Sequence, residues 1–223
     1  MNALTAKLRS SPMMARVAPY FIFIALTALQ GYFGEASKYW FYFAKTIVGA
    51  WLIWAILPVV KEIRWTISLE AVLVGVGVIV LWIALDPYYP KLMQSGGKPW
   101  NPHQLFGAGT ATAWFFVIAR IVGSTLVVPP IEEAFFRSFV YRYVVKEKFE
   151  EVSLKYYHFV PLIVTSLLFA FIHREWLAGI LCGLAYQWLV IRRGHLGDAI
   201  TAHAISNLLL GLWVVYKDAW KFW

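Results

Sequence analysis

Long apolar runs, each close to the length that crosses a lipid bilayer, recur along the whole chain. The hydrocarbon core takes about 20 helical residues, because a helix rises about 1.5 Å per residue. A further amphipathic helix over residues 131–147 is expected to begin at the preceding Pro-Pro pair, since proline is tolerated at a helix start. The pattern therefore predicts an all-α, polytopic transmembrane bundle of about seven to eight helices, with spans near residues 17–34, 40–60, 67–85, 105–128, 158–173, 176–192 and 196–216.

The composition argues against an ordinary soluble domain. Apolar residues make up 61% of the 223 residues and charged residues only 14%, whereas soluble domains carry about 25% charged residues. The net charge of +8 does not indicate nucleic acid, because the basic residues gather in loops between apolar runs, as in membrane proteins generally. We expect a multi-pass integral membrane protein, surrounded by lipid and without a nucleic-acid partner.

The segment of residues 86–104, with four prolines and two glycines, is the clearest break in the chain. Residues 1–104, which end with this segment, are apolar helices without a recognisable motif. Residues 105–223 carry the polar motifs. The two parts together form a single membrane domain. Cys182 is the only cysteine, which excludes an intramolecular disulfide and a cysteine-based metal site. Nothing in the sequence specifies an oligomeric state.

The sidedness of the loops follows from the Lys and Arg residues. Twelve of them fall on the side of the N-terminus and seven on the other, which favours a cytoplasmic N-terminus. This count assumes that residues 131–147 do not form a separate span. If they did, every later loop would change sides.

Ionisable residues inside apolar runs are costly and mark functional sites. Glu133 and Arg137 are four residues apart, so they share a helix face and can form an ion pair. Glu132 points about 100° away from Glu133. One carboxylate is thus neutralised while the other can act as a general base. The alternative is a charged helix entrance that is solvated among lipid headgroups.

Two further polar sets lie in later apolar runs. His173 ends one run, and Phe169 lies one turn before it on the same face. His203 and Asn207 are four apart and share a face in the last run. Taken alone, His173 is an interfacial residue, and His203 with Asn207 forms a hydrogen-bonding contact between helices. Arg120 also lies inside a predicted span, and no role follows from its position.

Zinc is the rival use for these side chains. Glu132, His173 and His203 can in principle supply three ligands to a metal that also holds a water molecule. The sequence has no HExxH stretch, which is the strongest helical zinc signal. We therefore expect no cofactor, with zinc as the alternative.

Three motifs occur in a fixed order on separate apolar helices: EExxxR at residues 132–137, FxxxH at 169–173 and HxxxN at 203–207. This ordered set resembles the CPBP family of CAAX prenyl proteases and bacteriocin-processing enzymes, and the resemblance covers roughly residues 105–216. The size of the chain and the lack of a soluble domain are also similar to CAAX-protease-related proteins of bacteria with exosortase sorting systems. This similarity implies a location in the bacterial inner (plasma) membrane.

The resemblance implies about eight transmembrane helices around a conical, water-filled cavity. It implies an endopeptidase that cleaves a membrane-anchored protein or peptide, as in C-terminal CAAX processing. Glu132 would be the general base, and His173 would help to hold and activate the water. The oxyanion would be stabilised by His203 and Asn207, with support from Glu133, Arg137 and Phe169.

Two other functions compete with proteolysis. One is a non-catalytic immunity or sorting-accessory protein built on the same fold. The other is a proton-coupled transporter that uses Glu132 and His173 as a proton relay. The intact motifs favour the protease, and the chain shows no pair of broken helices in matching halves, which a transporter more often has.

Overall fold

The structure, a computed structural model, describes residues 3–92 and 99–223. The predicted all-α bundle is confirmed, with 75% helix and no strand in the described part. The helices there are α1 (Ala3–Leu8), α2 (Pro12–Ala28), α3 (Ser37–Ile56), α4 (Leu69–Leu85), α5 (Pro102–Phe106), α6 (Ala111–Val145), α7 (Phe159–Phe171), α8 (Trp176–Arg193) and α9 (Gly197–Lys217).

Four of the described helices are long and apolar enough to cross a membrane: α3, α4 with its 3-10 extension, α6 and α9. Two more, α2 and α7, are apolar but shorter, with 17 and 13 residues. Large apolar side chains such as Trp54, Leu73 and Val80 are exposed on the outside of the bundle. Lipid contacts account for this exposure, because a helix satisfies its own backbone and needs no water there.

The α6 helix corrects one prediction. Pro129 and Pro130 lie inside α6, so residues 131–147 are not a separate helix that begins at the proline pair. Two π-helical stretches, Gly123–Val127 and Ala134–Val140, interrupt the α-helical pattern on either side of the prolines. A proline ring clashes with the preceding turn of an α-helix, and a local π adjustment allows a membrane helix to continue past it.

Because α6 is continuous, the loops after it keep the sides that the predicted alternation gives them. We call residues 57–68, 146–158 and 194–196 the basic face, where Glu70 at the start of α4 pairs with Arg193 at the end of α8 (2.7 Å). We call residues 29–36, 86–92, 99–110, 172–175 and 218–223 the opposite face, where Asp86 pairs with Lys221. A cytoplasmic location of the basic face stays a prediction from the positive-inside rule.

Glu62, in the loop between α3 and α4, joins three segments at the basic face. Its carboxylate accepts hydrogen bonds from Arg16 (2.7 and 2.8 Å), Arg142 (2.9 Å) and Ser138 (3.0 Å). Both arginine side chains are buried. Burial alone would raise the pKa of Glu62, but the neighbouring Arg16 and Arg142 outweigh it and hold this pKa below its ordinary value.

We expect Glu62→Gln to lower the free energy of unfolding at pH 7 by about 3 kcal/mol, because two buried guanidinium groups lose their counter-charge. The lowered pKa means that this stabilisation is present above the ordinary value of 4.5 and is lost as pH falls through the lowered value. Thermal unfolding in detergent at pH 7 and in acid measures both effects. The control Glu151→Gln breaks the exposed Lys146–Glu151 pair and should cost about 0–1 kcal/mol. Equal losses in the two variants would contradict this account.

Candidate active site

Glu133 is the most enclosed member of the site and is 0% exposed. Its Oε2 lies 3.1 Å from Nε of Arg137, which is the ion pair that the i, i+4 spacing predicts. Its Oε1 lies 2.9 Å from Nδ1 of His203 on α9. A carboxylate only accepts hydrogen bonds, so His203 donates through Nδ1. One oxygen of Glu133 is thus hydrogen-bonded to His203, and the other faces Arg137 in an ion pair that lacks hydrogen-bond geometry.

Glu132 has a different environment. It is 8% exposed, and its Oε2 lies 4.0 Å from Nε2 of His203, beyond hydrogen-bond distance. This oxygen has no hydrogen-bond partner among the described residues. The two adjacent glutamates thus differ as their helical spacing predicts, since one is neutralised by protein groups and the other keeps a free oxygen.

His173 lies just beyond the end of α7, in the loop to α8. Its Nδ1 lies 2.7 Å from the carbonyl oxygen of Phe169. A carbonyl can only accept, so Nδ1 carries the proton and Nε2 of the neutral ring keeps a lone pair. The ring packs against Phe169 at 4.6 Å and against Trp82 at 5.6 Å between centroids. These contacts fix the ring and leave Nε2 as its basic atom.

Asn207 connects α9 to the irregular part of α6. Its Nδ2 donates to the carbonyl oxygen of Ser124 at 2.8 Å. In this π-helical stretch the backbone N–H of Val128 donates to the carbonyl oxygen of Gly123, five residues earlier. In the same pattern the Ser124 carbonyl would accept from the N–H of residue 129, but Pro129 has no N–H. The proline therefore frees a buried carbonyl for Asn207. This is the interhelical contact of the alternative interpretation, and it uses one of the two amide hydrogens.

A cavity of about 160 Å³ lies beside these groups and is lined by His173, His203 and Asn207. At about 30 Å³ per molecule it has room for a few waters. Glu175 and Phe222, both near the opposite face, also line it, so the cavity extends from the site towards that face. Cys182 is buried in its wall.

Two aromatic residues position the polar groups. The Phe169 ring lies 4.3 Å from the guanidinium carbon of Arg137, a cation–π contact that connects α7 to α6. The Tyr186 ring stacks on His203 at 5.1 Å, and its hydroxyl lies 2.7 Å from Oγ of Ser206. No spacing pattern marks Tyr186, because it lies in α8 without a motif partner on its own helix.

The described residues contain no group of three or more His, Cys, Asp or Glu side chains that could hold a metal ion. The three candidate zinc ligands considered from the sequence, Glu132, His173 and His203, therefore do not lie close enough together to form such a group. The positive charge of Arg137, paired with the adjacent Glu133, also disfavours a second cation nearby.

The comparisons with known proteins agree with the motifs. The family model described as Type II CAAX prenyl endopeptidase Rce1-like matches residues 101–209, a range that includes all three motifs. No curated protein and no solved structure shows a significant match. Over residues 101–209, the chain is thus similar to the Rce1-like family of type II CAAX prenyl endopeptidases.

Proposed function

We propose that this protein is an intramembrane endopeptidase in which Glu132 activates a water molecule for attack on a peptide bond. The observation that carries the proposal is the inequality of the two adjacent carboxylates. Glu133 is occupied by Arg137 and His203, whereas Glu132 has a free oxygen next to the same histidine. A general base needs such an oxygen within reach of the water.

The reaction balances without a further reactant. Glu132 takes a proton from water as the water oxygen attacks the carbonyl carbon, and a tetrahedral oxyanion forms. The protonated Glu132 then gives this proton to the leaving nitrogen as the C–N bond breaks, which yields a carboxylic acid and an amine. His173, whose Nδ1 is held by the Phe169 carbonyl, accepts the other water proton in a hydrogen bond through Nε2 and so orients the attack.

His203 and Asn207 are suited to stabilise the oxyanion. They are one turn apart on α9, and both line the cavity. Glu133 accepts the Nδ1 proton of His203, so Nε2 donates to an oxyanion only in the imidazolium form of the ring, which carries a proton on both nitrogens. Asn207 keeps one amide hydrogen besides the one given to Ser124. Donors placed where charge develops act mainly on the transition state.

We propose that the mechanism needs no metal. The sequence lacks HExxH, the three candidate ligands do not form a gathered donor set among the described residues, and Arg137 places a positive charge next to the carboxylates. Zinc held by Glu132, His173 and His203 is the alternative.

The substrate that the family suggests is a membrane-anchored protein or peptide cleaved near its C-terminus, as in CAAX processing. A bacterial inner-membrane enzyme linked to exosortase sorting is the narrower proposal, and it rests on chain size and domain content. A non-catalytic accessory protein or a transporter would not require His173, His203 and Asn207 around one cavity with Glu132 next to His203, and this arrangement favours the protease.

Glu132→Gln should lower kcat by about 10²–10⁴-fold, because the amide is nearly isosteric but cannot take a proton from water. The measurement uses protein reconstituted in liposomes, with a fluorogenic library of lipidated and unmodified peptides and thermal unfolding as the folding control. Undiminished turnover by Glu132→Gln would remove this residue from the mechanism.

Wild-type activity should survive exhaustive chelation. Stoichiometric zinc, with loss of activity on chelation and recovery on zinc addition, would make Glu132 a ligand instead.

Asn207→Ala separates an oxyanion donor from a helix contact. We expect kcat to fall about 10²–10³-fold with little change in KM, because the donor acts in the transition state. The lost hydrogen bond to Ser124 should cost only about 0.6 kcal/mol of stability. Thr66→Val, which removes a bond to Asp198 at the start of α9, is the control and should change stability alone. A stability loss with normal kcat in Asn207→Ala would refute the oxyanion role.

A further inference from the structure

Glu175 is a buried carboxylate in the catalytic cavity that belongs to none of the three motifs. It lies in the loop between α7 and α8, two residues after His173, and is 7% exposed. It lines the same cavity as His173, His203 and Asn207. The proposed hydrolysis gives this side chain no task.

The carboxylate of Glu175 has no ion-pair partner in the described ranges, 3–92 and 99–223. It accepts its own backbone N–H, and no other described residue donates a hydrogen bond to it. Neither of the two cations nearby lies within ion-pair distance of Glu175. Lys91 pairs with Asp86 at 3.1 Å and lies over the Tyr89 ring at 3.6 Å. Arg174 forms no ion pair among the described residues, and its Nη1 donates to the carbonyl oxygen of Lys221 at 3.3 Å.

An unpaired carboxylate in a buried site is costly, because the protein replaces water without supplying an ion-pair partner. Burial raises the pKa of Glu175, although its own backbone N–H and Arg174 act in the opposite direction. A cation that entered the cavity would offset this cost. The site therefore has the electrostatics of a receptor for positive charge.

The cavity walls indicate which cation fits. Val78, Trp82 and Phe222 contribute apolar and aromatic surface beside the carboxylate. A lysine or arginine side chain has an apolar stem and a charged head, so it can contact such walls while its head meets an acid. Indole rings also attract cations through their faces. At about 160 Å³ the cavity suits a single side chain.

We propose that Glu175 is a specificity-determining residue that binds a lysine or arginine side chain of the substrate close to the cleaved bond. This inference rests on the proposed endopeptidase function. It assigns Glu175 to substrate selection and leaves the chemical step to Glu132. It also predicts that substrates carry a basic residue within a few positions of the cleavage site.

The test uses pairs of lipidated peptides that differ at a single position, which is lysine in one peptide and norleucine in the other. A separate pair is made for each position around the cleaved bond. Wild-type protein in liposomes should prefer lysine at one position by about tenfold or more in kcat/KM, as a charge-assisted contact of about 1.4 kcal/mol implies. Glu175→Gln should bring the ratio of the lysine and norleucine kcat/KM values to about one. Glu175→Lys should instead favour a third peptide that carries glutamate at the same position.

Asp86→Asn is the matched control, because Asp86 is an acid of the same face that is already paired with Lys91 and Lys221. It should keep the lysine preference. If Glu175→Gln is too unstable to assay, Glu175→Asp should keep a weaker preference. An unchanged preference in Glu175→Gln, or no preference at any position in the wild type, would overturn the proposal.

Binding to the Glu132→Gln variant keeps this inference separate from the proposed function, because it needs no turnover. The lysine peptide should bind about tenfold more tightly than the norleucine peptide, and the additional Glu175→Gln change should abolish the difference. Selective binding of the lysine peptide without any cleavage by the wild type would refute the endopeptidase function and support the binding of a basic side chain by Glu175. Cleavage without selectivity would support the endopeptidase function and refute the role of Glu175.

Discussion

The enclosed contact of Glu133 with Arg137 and His203 is the interaction on which the rest of the site depends. A carboxylate and a guanidinium group that are both inaccessible to solvent each require the other, because either one alone would be an uncompensated buried charge. His203 extends this contact from α6 to α9. Phe169 adds α7 by lying against the Arg137 guanidinium. The Glu133 carboxylate thus positions three helices and leaves Glu132 as the carboxylate with a free oxygen.

The proline pair gives α6 a second connection to α9. Pro129 has no N–H, so the π-helical stretch before it leaves the Ser124 carbonyl for Asn207. In a bilayer such a carbonyl needs a partner from the protein. The same structural feature therefore permits an irregular helix and fixes Asn207 on the wall of the cavity. Helix packing and oxyanion stabilisation are compatible uses of this side chain, since its amide has two hydrogens.

Much of this architecture could be predicted from the sequence, because it depends on local periodicity. Apolar run lengths gave the bundle, and i, i+4 spacing placed Glu133 with Arg137 and His203 with Asn207. The proline rule for soluble helices failed at Pro129, where a π adjustment keeps the helix continuous. Glu62, Tyr186 and Glu175 had no local signal. Their importance comes from partners, or from a missing partner, on other segments, and such tertiary contacts leave no spacing pattern within one helix.

A single-turnover hydrolysis in ¹⁸O-labelled water tests the central claim, that Glu132 activates water while Glu133 stays paired. Mass spectrometry of the released peptide and of the protein fragment that contains Glu132 locates the label. If water attacks the peptide bond directly, the new carboxylate of the product carries one ¹⁸O and Glu132 carries none. If Glu132 attacks the bond itself, an anhydride forms and its hydrolysis can leave the label in Glu132. Label in Glu132 together with an unlabelled first product would contradict the account.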